Sequence, residues 1–142
     1  MNTVLTEARI KVIPCSGIGK TLGLMAREAA LTVTGRLCPD TTETVCLGYL
    51  VTGEEEAISK VKGQCCITVD GCPAMCAAES VKAAGGTIKQ KYRMVDAMRS
   101  HKGKNAGTGT ALTDDGWMIV DEFAAKIAAR ANELHKEVVS NA

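Results

Sequence analysis

Aromatic side chains are almost missing from this sequence. One Trp, two Tyr and one Phe amount to 3% of 142 residues. No core of stacked rings is available, so the interior must be built from Ala, Val, Ile, Leu and Met. Neither sign of charge dominates: 17 Lys and Arg stand against 16 Asp and Glu, for a net charge of +1. That balance removes any bulk pull toward nucleic acid or an anionic membrane. No apolar run approaches the roughly 20 residues of a membrane span. Residues Met1 to Lys11 lack the basic, apolar and small-residue order of a secretion signal. The chain is therefore expected in the cytoplasm, where thiols stay reduced.

Cysteine is absent after position 76, yet seven fall within the first 76 residues: Cys15, Cys38, Cys46, Cys65, Cys66, Cys72 and Cys76. An odd, clustered set does not suit a secreted disulfide scaffold. In a reducing compartment it points to metal binding or thiol chemistry.

The chain length suits one domain, here residues 1–142. Ile10 to Pro14 reads as a strand, followed by the glycine turn Ser16-Gly17-Ile18-Gly19-Lys20. The spacing of Leu22, Met25, Ala26, Ala29 and Ala30 predicts a helix over Thr21 to Val33, with Gly35 as its stop. Val45 to Val51 fits either a strand or a helix, and Glu54 to Lys62 fits a short helix. Cys65 to Val69 is β-branched and apolar, a second strand. After Asp70 and Gly71, Pro73 suits the first position of a helix reaching Ala84, with Cys72 as its N-cap. Thr87 to Met94 alternates as a strand. A loop covers His101 to Gly116, and an amphipathic helix runs from Trp117 to Val139 with Asp114 or Asp115 as cap. The order implies βαβ units. The expected fold is α/β, a three-layer, mostly parallel, Rossmann-like sheet with flanking helices.

Cys15 follows the first confident strand and Cys72 the second. If those strands are parallel, both turns emerge at the carboxyl edge of the sheet, where ligands bind in open α/β folds. Cys72 and Cys76 lie four apart, a spacing that puts Cβ atoms about 5–6 Å apart on one helix face. A disulfide wants about 3.5–4.5 Å. Two thiolates on one tetrahedral metal tolerate the wider spacing. Cys15, Cys72 and Cys76 are accordingly the expected metal ligands, with Cys46 as the fourth. Cys65 and Cys66, neighbours on a strand, face opposite ways and read as small core residues. Cys38 is open between the two roles.

Pro14-Cys15-Ser16-Gly17-Ile18-Gly19-Lys20, Arg27-Glu28-Ala29-Ala30 and Ile67-Thr68-Val69-Asp70-Gly71-Cys72-Pro73-Ala74-Met75-Cys76 together resemble the DGC-domain family, credited with zinc binding. Asp70, Gly71 and Cys72 match the motif that names it. The resemblance implies metal binding through Cys15, Cys72 and Cys76, and it brings no activity with it. Cys38, Cys65 and Cys66 have no counterpart in that motif.

Residues 14–21 also approach a phosphate-binding loop, since Gly19, Lys20 and Thr21 match its end. Pro14 stands where its first glycine belongs, which counts against nucleotide hydrolysis. Gly17, Gly19 and Lys20 remain candidates for holding a cofactor anion or a cluster sulfide at a helix start. The basic residues Lys89, Lys91, Arg93, Arg99, Lys102 and Lys104 read as a solvated face, and His101 and His135 as surface groups. The expected cofactor is zinc, with an iron–sulfur cluster as the alternative. The expected partner is a metal ion, with a protein partner or homodimer left open and neither membrane nor nucleic acid indicated. Thiol redox or sulfur transfer through Cys15 or Cys72 is the competing reading.

Overall fold

Four short extended runs build the sheet. In the computed structural model, which describes residues 9–15, 19–71 and 73–141, β1 spans Ile10–Pro14, β2 Thr42–Glu43, β3 Cys65–Asp70 and β4 Thr87–Arg93. All pair parallel in the order β2-β1-β3-β4. The two edges are protected differently. β2 is only two residues long, and Lys11 of β1 reaches across to it, with Nζ 2.8 Å from Glu43 Oε2. β4 carries Lys89, Lys91 and Arg93, and Lys89 is the extra residue where the register against Cys66 and Ile67 shifts.

The helices are α1 (Thr21–Thr32, continued by a π-type turn to Leu37), α2 (Leu47–Val51), α3 (Glu55–Val61), α4 (Cys76–Ala83), α5 (Met94–Arg99) and α6 (Asp114–Ser140). Strand alternation feeds both faces of the sheet. On one face, Ile10, Val12, Ile67 and Val69 pack with Met25, Ala26 and Ala29 of α1 and Ile119, Phe123 and Ile127 of α6. On the other, Ile13 and Cys66 pack with Leu47 and Leu50 of α2, Val61 of α3, and Ala77 and Val81 of α4. The expected three-layer α/β architecture stands, and the sheet is wholly parallel. Two of the few aromatics meet on the α6 side: Tyr92 and Phe123 are edge to face, with ring centroids 5.4 Å apart. Among the described residues no helix is long and apolar enough to cross a membrane.

Several boundaries differ from the sequence reading. Gly35 does not stop the first helix, because the wider π-type turn carries the chain on to Leu37. Val45 to Val51 resolves into a loop and α2. The last helix begins at Asp114, and its cap is Thr113, whose hydroxyl accepts the Gly116 N–H at 3.0 Å. Asp114 and Asp115 occupy the first turn, where they complement the helix dipole.

The chain leaves β1 through α1 to β2, then crosses back past β1 through α2 and α3 to reach β3. The winding therefore reverses between β1 and β3. The crevice beyond their carboxyl ends is the place where sheets of this kind bind ligands.

Candidate functional site at the carboxyl edge

β1 ends at Pro14 and Cys15 continues its line, donating its N–H to Val69 O at 3.0 Å. At the same place β3 ends in Asp70, and the Gly71 N–H donates to Cys15 Sγ at 3.3 Å. An amide pointing at sulfur stabilises the thiolate over the thiol. Cys15 is half-buried at the seam where the two cores meet.

The Asp-Gly pair has a physical reason at each position. Asp70 is fully buried. Its Oδ1 accepts the Ala77 N–H at 2.7 Å and its Oδ2 the Ala78 N–H at 3.1 Å. Burial raises the Asp70 carboxyl above the usual range, and the two amide bonds oppose that rise without cancelling it. Gly71 packs against the start of α1: a Cβ there would lie 2.6 Å from Gly23 N and 2.7 Å from the carbonyl carbon of Leu22. No other residue fits without moving one of the two elements.

Pro73 does not open α4. Pro73 and Ala74 form an exposed turn, Met75 is the N-cap in a left-handed conformation (φ 52°), and Cys76 is the first helical residue. Because Asp70 binds the amides of Ala77 and Ala78, the helix can only begin at Cys76. Cys72 is therefore not the N-cap, and the expected placing of Cys72 and Cys76 on one helix face does not hold. Cys72 itself, like Gly17, lies outside the described residues.

Cys76 is exposed on the first turn of α4. Cys46 is also exposed and is the N-cap of α2, three residues beyond the end of β2 and thus at the same edge. α2 and α4 pack together through Leu47, Leu50, Ala77 and Val81. Cysteines thus follow β1, β2 and β3 on one side of the molecule. Among the described residues, which leave out Cys72, no three His, Cys, Asp or Glu side chains are grouped to hold a metal ion.

The remaining cysteines are elsewhere. Cys65 opens β3, five residues before Asp70, which at about 3.3 Å per residue puts it roughly 16 Å from the carboxyl edge. Cys65 packs on the α6 side and Cys66 is buried on the α4 side, the opposite facing the sequence implied. Burial pushes the Cys66 thiol up to about 12, with Cys65 adding to the rise and Lys11 opposing it. Burial also raises the Cys65 and Cys38 thiols. Cys38 is a core residue whose Sγ contacts Ala128 O at 3.8 Å. His101 and His135 are half-buried rather than surface groups. His101 Nε2 lies 3.4 Å from Glu122 Oε2, and His135 Nε2 is buried.

One wall of the site was not foreseen. The loop between α5 and α6 packs against Gly19 and Lys20, and Thr21 Oγ1 donates to Gly107 O at 3.1 Å. A Cβ on Gly109 would lie 2.7 Å from Gly19 C and 2.9 Å from Lys20 N. Gly19 (φ 79°) and Lys20, both exposed, thus sit beneath this strap at the start of α1, which has no side-chain cap. The Gly-Thr-Gly-Thr run at 107–110 was the available signal.

The DGC domain profile matches residues 11–115, most of the chain and all of the edge just described. The chain belongs to the DGC domain family. In this DGC domain the Asp and Gly of the motif are a helix cap and a close approach, and the Gly amide donates to the Cys15 sulfur. Among curated proteins and among solved structures, none matches the chain significantly.

Proposed function

We propose that this DGC domain binds a metal through cysteine thiolates at the carboxyl edge of its sheet. The ligands are Cys15, Cys72 and Cys76, with Cys46 as the fourth. The observation that carries the reading is the 3.3 Å bond from the Gly71 N–H to Cys15 Sγ. It ties the sulfur that follows β1 to the turn that follows β3, which supports one shared site for cysteines remote in sequence. The donor chemistry fits, since an amide-supported thiolate is the form that ligates. The edge placement of Cys46 and Cys76 supports the same set. Zinc suits a closed set of four thiolates, and an iron–sulfur cluster is the alternative for the same ligands. The role is metal sensing, storage or delivery in the cytoplasm, with Gly19 and Lys20 beside the bound group.

Anaerobic purification followed by metal and sulfide analysis tests the proposal. Stoichiometric zinc without sulfide is expected, while iron with matching sulfide moves the assignment to a cluster. Cys15→Ser and Cys72→Ser should each lose most of the metal, and Cys65→Ser should keep it. Equal loss in Cys65→Ser and Cys72→Ser refutes the ligand set. A metal-free protein carrying a persulfide on Cys72 would instead support sulfur transfer.

A further inference from the structure

We propose that Asp70 is the positioning residue of the metal site, fixing the first turn of α4, and with it Cys76, relative to the Cys15 sulfur. The proposal rests on the metal-binding reading and goes beyond it by assigning a role to a residue that ligates nothing.

α4 begins without help from its own N-cap side chain. Met75, its N-cap, has no side-chain oxygen to offer the first amides, and it sits at φ 52°, a conformation that β-carbon crowding disfavours. Left to local preference, the helix would not start there. Asp70 reaches over from the strand end and takes the second and third amides of the helix, one on each carboxylate oxygen. It is fully buried, so water does not compete for either bond.

The next residue completes a bracket. The Gly71 amide donates to Cys15 Sγ, and the Gly71 backbone is wedged against Leu22 and Gly23 of α1. Two consecutive residues therefore hold α4 through a carboxylate and the Cys15 sulfur through an amide. The separation of Cys15 and Cys76 is thereby set through Asp70 and Gly71. An amide side chain at position 70 cannot do this. It has one acceptor oxygen, and its NH2 would face a helix N–H.

The test uses the full chain, made and kept anaerobic, with Co(II) as the probe. Co(II) bound by thiolates shows charge-transfer and ligand-field bands that report coordination geometry. Asp70→Asn should weaken Co(II) binding by about 10–100-fold and change those bands under conditions where the chain is fully folded. In the metal-free variant the Ala77 and Ala78 amides should exchange hydrogen faster while the amides within β3 keep their protection. A wild-type spectrum and affinity in Asp70→Asn overturn the proposal. If the wild-type chain takes up no Co(II), the metal-binding reading fails separately, and exchange then decides: unchanged Ala77 and Ala78 amides in the variant overturn the positioning role too. Should Asp70→Asn not fold, Asp70→Glu serves, because it keeps the charge but adds a methylene. It too should shift the bands and loosen both amides, and wild-type behaviour in it overturns the proposal.

Discussion

A methyl group at position 71 has nowhere to go, because the atoms it would meet belong to the backbone of α1 and cannot rotate away. Gly71→Ala should cost about 1–3 kcal/mol, the range of an overpacked core, in urea unfolding. Gly35→Ala is the control, since a Cβ there meets nothing within 4 Å, and it should change stability by less than about 0.5 kcal/mol. Equal effects would mean that the end of β3 does not press on α1. Cys66 makes a different prediction. Its thiol is raised to about 12 from an ordinary value of 9.0. Between those values the unfolded chain releases a proton that the folded chain keeps. Its contribution to stability is therefore whole below the ordinary value and falls as pH rises toward about 12, by at most about 1.4 kcal/mol per pH unit. Urea unfolding under reductant at about pH 8, 9 and 10 should show a shallower decline in Cys66→Ala than in wild type. Parallel declines would assign the alkaline loss to other groups.

At the scale of elements, α6 depends on Thr113. Its hydroxyl accepts the Gly116 N–H at 3.0 Å and donates to Asn105 O at 2.6 Å, so one oxygen caps the helix and fastens the strap that leads into it. Thr113→Ala should lose about 1–2 kcal/mol, whereas Thr113→Ser should stay within about 0.5 kcal/mol. Urea midpoints of the two variants decide. The same element shows where sequence reading stops. Its apolar stripe was legible through Val120, Phe123, Ile127, Ala131 and Leu134 because a long helix repeats its signal. Its start was not, because two aspartates and a threonine compete for one cap and tertiary contact with Asn105 selects among them. The start of α4 was misread for a similar reason. Pro73 is a good local signal for a helix start, but a carboxylate six residues before the helix overrides it. β2 left almost no trace, since two residues carry no periodicity and their pairing with β1 is wholly non-local.

At the scale of the molecule, the parallel sheet was legible because β1 and β3 are each followed by a glycine-containing turn and then helical spacing. That order alone brings Cys15 and the Asp-Gly-Cys turn to the same edge. The strap over Gly19 was not legible, because Gly107 and Gly109 reveal their purpose only against a surface folded from residues far away. If the edge does hold a metal, the ion joins the segments that follow β1, β2 and β3, and α4 with them. Binding to the folded chain alone then stabilises the whole molecule. At a free zinc concentration about 100 times the dissociation constant the gain is about 2.7 kcal/mol. For a chain of this length about 1 kcal/mol moves the melting temperature by roughly 4 °C, so zinc should raise it by about 10 °C under anaerobic, reducing conditions. Cys15→Ser should abolish most of that rise. Cys65→Ser should retain it, because Cys65 sits at the amino end of β3 and cannot reach the edge. A rise that survives Cys15→Ser but disappears in Cys65→Ser would place the zinc at the opposite end of the sheet.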